Sequence, residues 1–196
     1  MNGMLPKHYD DLDAVLEEIR TRLVRGVHDR RSAFHLTSLA SSDDLGRPRL
    51  RTVVLRGVGH DLSEVSFHTD ARSAKCRELA AQPVCAMLFY ESRAAIQVRL
   101  EGSARLHREN TVAQAAWEKS SPLARRCYAI EPGPGTVIAH PLSTFFHDEE
   151  SKVRERFVRV TVAIERIEWL YLHAGGHRRA LFVNDGGRLA GRWLVP

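Results

Sequence analysis

From Ala33 onward the chain is built of short β-prone runs cut apart by turn residues. That rhythm constrains its fold more than anything else in it. The runs are Ala33 to Leu39, Leu50 to Arg56, Glu64 to His68, Val84 to Tyr90 and Ile96 to Leu106, then Phe157 to Leu172, Arg178 to Val183 and Arg188 to Val195. Ser41-Ser42-Asp43-Asp44, Gly46-Arg47-Pro48, Gly57 to Asp61, Gly175-Gly176 and Asn184-Asp185-Gly186-Gly187 supply the turns between them. Short strands separated by such punctuation read as an antiparallel meander. At least seven strands with few helices close best into a barrel, because closure leaves few edges unpaired.

Helices fill the remainder. Leu12, Val15, Leu16, Ile19 and Leu23 recur at helical spacing between Asp10 and Arg25, and Gly26 stands where a C-terminal cap is expected. Ser73 to Ala81 is rich in helix formers and stops before Pro83. Two further helices are predicted near Thr111 to Glu118 and Leu123 to Ala129. The Glu131-Pro132-Gly133-Pro134-Gly135 stretch is too short for a domain linker. The 196 residues therefore read as one domain over 1–196, with a helix at about 10–25 and a mainly β barrel with helices at about 33–196.

Composition narrows the function classes. With 43% hydrophobic and 27% charged residues the chain is of ordinary globular type. Its longest apolar stretch, Val84 to Tyr90, falls far short of the roughly 20 residues of a membrane-spanning helix. The acidic first 20 residues lack the apolar core of a secretory signal, so the expected compartment is the cytoplasm. A net charge of +5 favours anionic partners, but the 25 arginines are scattered, with no basic block, which argues against nucleic acid. Cys76, Cys85 and Cys127 form no CxxC pair and read as reduced thiols. No HExxH or close His/Cys cluster suggests a metal.

One constellation points to chemistry. Thr69, Arg72, Ser73 and Lys75 sit at a strand-to-helix junction, where free backbone N–H groups and the helix dipole favour a bound anion. With Arg51 from the preceding strand, a phosphate dianion could receive bonds from a guanidinium, an ammonium and a hydroxyl together. The competing reading is that the arginines are solvated and Ser73 merely caps a helix. Cys76, near the same helix start, is either a thiol of lowered pKa or a packed helix cysteine.

The stretches RTVVLR at 51–56, FHTDARSAK at 67–75, QPVCAMLFY at 82–90 and IQVRLEGSARL at 96–106 resemble the pyridoxamine 5'-phosphate oxidase superfamily. So do IEWLYLHAGGHRRALF at 167–182 and GRWLVP at 191–196. Order and spacing match over roughly residues 33–196. The resemblance implies a split β-barrel, a homodimer and FMN bound at the subunit interface. It implies that Arg51 and Lys75 hold the FMN phosphate with help from Ser73, and that His68 and Thr69 lie beside the phosphate and ribityl chain. The backbone through Arg51, Thr52, Val53 and Val54 would approach the isoalloxazine, and Gln97 would reach the flavin ring. Arg56 stands where the oxidases use a basic residue for substrate, and Arg178 is a retained substrate-side arginine.

The sequence also departs from that pattern. Ala74 and Leu181 stand in place of flavin-binding arginines, and Leu170 in place of a flavin-contacting tryptophan. Trp117, Ser121 and Arg125 occupy the region where the oxidases present tyrosine, arginine and serine to the substrate phosphate. His177-Arg178-Arg179-Ala180 lacks the arginine-x-histidine pair. The expectation is an FMN-dependent oxidoreductase acting on a small, anionic molecule other than the vitamin phosphates. A pyridoxamine 5'-phosphate oxidase proper and a non-catalytic flavin or haem binder are the alternatives.

Overall fold

The computed structural model describes residues 6–142 and 150–196. Among the described residues, eight strands form one sheet: β1 (Leu36–Ser42), β2 (Pro48–Val58), β3 (Glu64–Asp70), β4 (Val84–Glu91), β5 (Ile96–His107), β6 (Phe157–Tyr171), β7 (Arg178–Asp185) and β8 (Arg188–Leu194). Their order is β3-β2-β1-β4-β5-β6-β7-β8, and a further β3–β6 pairing closes the first six into a barrel. Every strand pair is antiparallel. The mainly β, split-barrel expectation therefore holds.

Closure depends on β6, whose 15 residues serve two neighbours along one edge. Phe157 to Ala163 pair with β3, while Arg166 to Tyr171 pair with β7. The other edge pairs with β5 from Arg159 to Tyr171, with a register shift between Glu101 and Gly102. Gly102 is required there, because a Cβ at this position would lie 1.9 Å from the Ala163 carbonyl oxygen. The bulge lets β6 bend from barrel wall to outer sheet.

Inward residues alternate as a half-buried strand demands: Leu39 on β1, Val53 and Leu55 on β2, Val65 and Phe67 on β3, Val158, Val160 and Val162 on β6. Helix α1 (Leu12–His28) packs Val15, Ile19 and Leu23 onto this core. Asp11 caps it, accepting from the Ala14 N–H at 3.0 Å. Gly26 is not its C-cap. The helix runs on to His28, and Gly26 is small because a Cβ would meet the Phe34 carbonyl oxygen at 2.5 Å.

Helix α2 (Ala74–Ala81) lies between β3 and β4, and α3 (Thr111–Lys119), α4 (Pro122–Arg125) and α5 (Glu150–Arg156) lie between β5 and β6. A second cluster, with Trp117, Tyr128, Val153 and Phe157, holds this helical group to the outer face of the barrel. Two sequence readings shift. Ala33 to His35 form a 3-10 turn, because the Ser32 hydroxyl accepts from the Phe34 N–H, so the first strand begins at Leu36. The helix expected over 123–129 is split into α4 and a 3-10 turn at Arg126–Tyr128.

The Gly102→Ala substitution should destabilise the protein by more than the ~1 kcal/mol typical of single substitutions, since the backbone contact cannot relax by rotamer change. Urea unfolding at equal slope would measure it. A loss below about 0.5 kcal/mol would show that the bulge is not held by this approach.

Candidate active site

Alternation on β2 and β3 separates the candidate residues onto two faces. Arg51 lies in phase with Val53 and Leu55, and Thr69 in phase with Phe67, so both turn toward the barrel end covered by α2. Arg56 and His68 occupy the opposite phase and face outward.

At the barrel end the Lys75 ammonium donates to the Thr69 hydroxyl at 3.1 Å, and that hydroxyl lies 3.2 Å from Ser73 Oγ. Ser73 occupies the N-cap position of α2, but its hydroxyl accepts no helix N–H; it is buried beside Thr69 instead. Burial, with a smaller push from the Arg51 charge, lowers the Lys75 pKa. Arg51 donates to Glu78 Oε2 and Ser41 Oγ, both at 2.5 Å, and Ser41 donates to Glu78 at 2.6 Å. Among the described residues these bonds take two of its five N–H donors. Desolvated cations, two buried hydroxyls and a helix start make a cradle whose chemistry fits a phosphate dianion.

Arg72 does not join this cradle. It donates to Asp70 at 3.0 and 2.7 Å, pairs with Glu131 at 3.1 Å and donates to the Ile130 carbonyl at 3.0 Å. It straps the segment after α4 onto the β3–α2 turn. Nor is Cys76 activated: burial pushes its thiol pKa up, and its Sγ donates to the Asp70 carbonyl at 3.3 Å.

On the outer face a cleft of about 540 Å³ opens between β2, β3, β6, the end of α1 and the α3–α4 turn. Arg56, Arg159, Arg30 and Lys119 line it, with His68, Tyr128 and the hydroxyl-bearing Ser66, Ser120 and Ser121. No carboxylate lines it among the described residues. His68 packs edge-on against Phe157, and its pKa is lowered to about 4, first by burial and then by the charges of Arg56 and Arg159. Its imidazole is therefore neutral near pH 7.

Other candidates lie elsewhere. Thr52 is exposed and Val54 half-buried on the outer face of β2, with Val53 in the core. Gln97 is half-buried on β5, opposite Tyr90 and Leu170. Arg178 donates to Asp10 at 2.6 Å, outside the cleft within the same chain. Ala74 is exposed, and Leu181 is buried opposite Glu168. Trp117 is buried against Phe157, and Arg125 stacks over it at 4.7 Å while donating to its carbonyl at 2.9 Å. Ser121 caps α4. The sequence reading missed Glu78, Ser41, Arg159, Arg30 and Lys119. Only Glu78 carried a local signal, three residues after Lys75 and hence on the same helix face.

Comparison with known proteins bears on these two sites. Residues 16–108 match the family model described as pyridoxamine 5'-phosphate oxidase, FMN-binding domain. A pyridoxine/pyridoxamine 5'-phosphate oxidase of Pseudomonas savastanoi pv. phaseolicola is 35% identical over 81% of this chain and 77% of its own. This chain belongs to the pyridoxamine 5'-phosphate oxidase family. A relative of the same description from Paraburkholderia phytofirmans is 39% identical, over 45% of this chain and 40% of its own length. Two solved structures share the fold. A pyridoxamine 5'-phosphate oxidase-related, FMN binding protein of Nostoc punctiforme gives a TM-score of 0.73 at 24% identity, covering 92% of this chain and 96% of that one. PhzG of Burkholderia lata, in complex with tetrahydrophenazine-1-carboxylic acid, gives 0.70 at 21% identity and covers 98% of both. The cofactor of this oxidase-family chain is FMN, and the barrel-end cradle fits the FMN phosphate.

The depressed His68 pKa makes stability depend on pH. The unfolded chain binds this proton below about 6.5 and the folded chain only below about 4. Its contribution is thus fully present above pH 6.5 and is lost as pH falls through that window, by on the order of 3 kcal/mol. His68→Gln should flatten this part of the profile. Urea midpoints at pH 7 and pH 4.5 that change equally in both proteins would refute the assignment.

Proposed function

We propose that this chain is an FMN-dependent oxidoreductase that acts on a small anionic molecule. The observation that carries the reading is the cation-lined cleft on the face of β2 and β3 opposite the phosphate cradle, with no carboxylate among its described lining residues. In this reading Arg51 and Lys75 bind the FMN phosphate, Ser73 and Thr69 complete its hydrogen bonds, and Glu78 holds Arg51 in place. The backbone from Arg51 through Thr52, Val53 and Val54, with Gln97, faces the ring. Bound FMN supplies the electron or hydride transfer, while the chain supplies orientation and electrostatics. Arg56 draws the substrate anion into the cleft, and His68 stays neutral as a hydrogen-bonding group.

The working form in this reading is a cytoplasmic homodimer with FMN at its interface. Leu36, Leu88 and Tyr90 are exposed on β1 and β4, 54%, 39% and 49% accessible, and offer an apolar surface for a second copy. Arg178, remote from the cleft of its own chain, serves a cleft through that second copy. The vitamin phosphates are poor substrates in this reading because Trp117 and Arg125 are committed to the aromatic cluster, and Ala180 supplies no imidazole.

Two measurements test this. Arg51→Ala and Lys75→Ala should each weaken FMN about tenfold or more while changing riboflavin affinity little, because a charge-assisted hydrogen bond contributes about 1.5–3 kcal/mol. Equal losses for both ligands would contradict the phosphate assignment. With FMN saturating, turnover of pyridoxine 5'-phosphate or pyridoxamine 5'-phosphate should fall roughly a thousandfold below ordinary oxidase efficiency. A kcat/KM of about 10⁴ M⁻¹s⁻¹ or above would instead establish a pyridoxamine 5'-phosphate oxidase proper.

A further inference from the structure

We propose that Arg159, paired with Arg56, forms the anion-binding fork of the cleft, so that the charged end of the substrate, a carboxylate or phosphate, binds at the β3–β6 wall and not beneath α3 and α4. The proposal rests on reading the cleft as the substrate site.

Three observations lead to it. First, Arg125, a guanidinium of the helical side, is already engaged. Arg125 donates to the Trp117 carbonyl at 3.2 and 2.9 Å and to the Glu118 carbonyl at 3.2 Å, while stacked on the Trp117 ring. An arginine so engaged acts as a cap for α3.

Second, Arg159 is held at the wall with its donors largely unused. It lies directly opposite His68 in the β3–β6 register, and its side chain is 27% accessible. Its one ion contact among the described residues is a loose 3.8 Å approach to Glu64. Its Nε is buried with no hydrogen-bond partner among the described residues. A buried donor left unpaired is costly, and an oxyanion acceptor would relieve it.

Third, Arg56 comes from β2, on the other side of β3 from β6, at the bulge opposite Phe67 and Ser66, and no ion pair engages it among the described residues. Arg56 and Arg159 line the same cleft as His68, and the charge of each bears on its ring. Two guanidiniums in one cleft with a neutral imidazole can supply paired donors of the kind that recognise a carboxylate or phosphate. Arg30 and Lys119 line the same cleft and add longer-range attraction.

The test titrates FMN-loaded protein with inorganic phosphate and, separately, with acetate at pH 7. It follows the His68 Cε1–H resonance by NMR and the visible absorbance of the flavin. Wild type should show a saturable His68 shift. R159M should weaken that binding at least about tenfold, R159K should weaken it less, because charge survives without the fork, and R188M on the remote β7–β8 hairpin should leave it unchanged. Tighter phosphate identifies a phosphoryl substrate group, and tighter acetate a carboxylate; either supports the fork. An R159M affinity within twofold of wild type, or a wild-type protein in which neither anion moves the His68 signal, overturns it. Thermal melting checks that R159M folds, and if it does not, R56M and R159K carry the comparison under the same criteria. A flavin response that persists in R159M sinks the fork but spares the substrate-cleft reading. A His68 response with no flavin response supports the fork and removes the cleft from the chemistry.

Discussion

The double service of β6 is the constraint on which the rest of the molecule depends. A six-strand barrel closes only if its last strand can pair on both edges, and here that strand must also carry β7 and β8 outward. Two neighbours share one edge because the strand is long and because it bends at the Gly102 bulge. Closure hides the β3 edge, which would otherwise expose unpaired backbone groups. It also fixes which β6 side chains point inward. Val158, Val160 and Val162 fill the barrel, and Phe157, Arg159 and Thr161 are left for the outer face.

That alternation explains how two strands furnish two different sites. On β3, Thr69 turns to the barrel end and His68 to the cleft. On β2, Arg51 and Arg56 are divided in the same way by an odd spacing. The cradle and the cleft are therefore coupled through backbone without sharing a side chain, so their charges need not compete for one ligand. The Arg51–Glu78–Ser41 cluster shows the cost of burying the cradle: a guanidinium at the end of a barrel needs a carboxylate to offset its desolvation. The outer cleft has no such carboxylate among its described lining residues, and Arg159 makes only a 3.8 Å approach to Glu64 beside it.

The sequence reveals whatever its local pattern encodes. Strand runs, turn residues and the first three helices were legible because each is marked by periodicity or punctuation within a few residues. Helix α5 was not, since Glu150-Ser151-Lys152-Val153-Arg154-Glu155-Arg156 offers one apolar residue and hence no 3.6-residue pattern. Gly26 was read as a cap because helix ends favour glycine, whereas its reason is a contact with Phe34. In the cradle, Thr69, Ser73 and Lys75 fall within one turn of chain and could be read together. Arg125 could be seen as a charge but not as one already spent on the Trp117 carbonyl. Arg159 was missed because its neighbour is His68, and only strand register joins them.

Register also sets how firmly the cleft is specified. A strand slipped by one residue turns every side chain to the other face. Applied to β6 against β3, such a slip would drive Arg159 into a core of Val65, Phe67 and Leu55 and expose Val158 and Val160 in the cleft. A buried, unpaired guanidinium and exposed valines oppose the slip from both sides. The same alternation that stabilises the barrel thus holds the cleft's cations outward, and an anion bound between Arg56 and Arg159 would favour the register already chosen by the core.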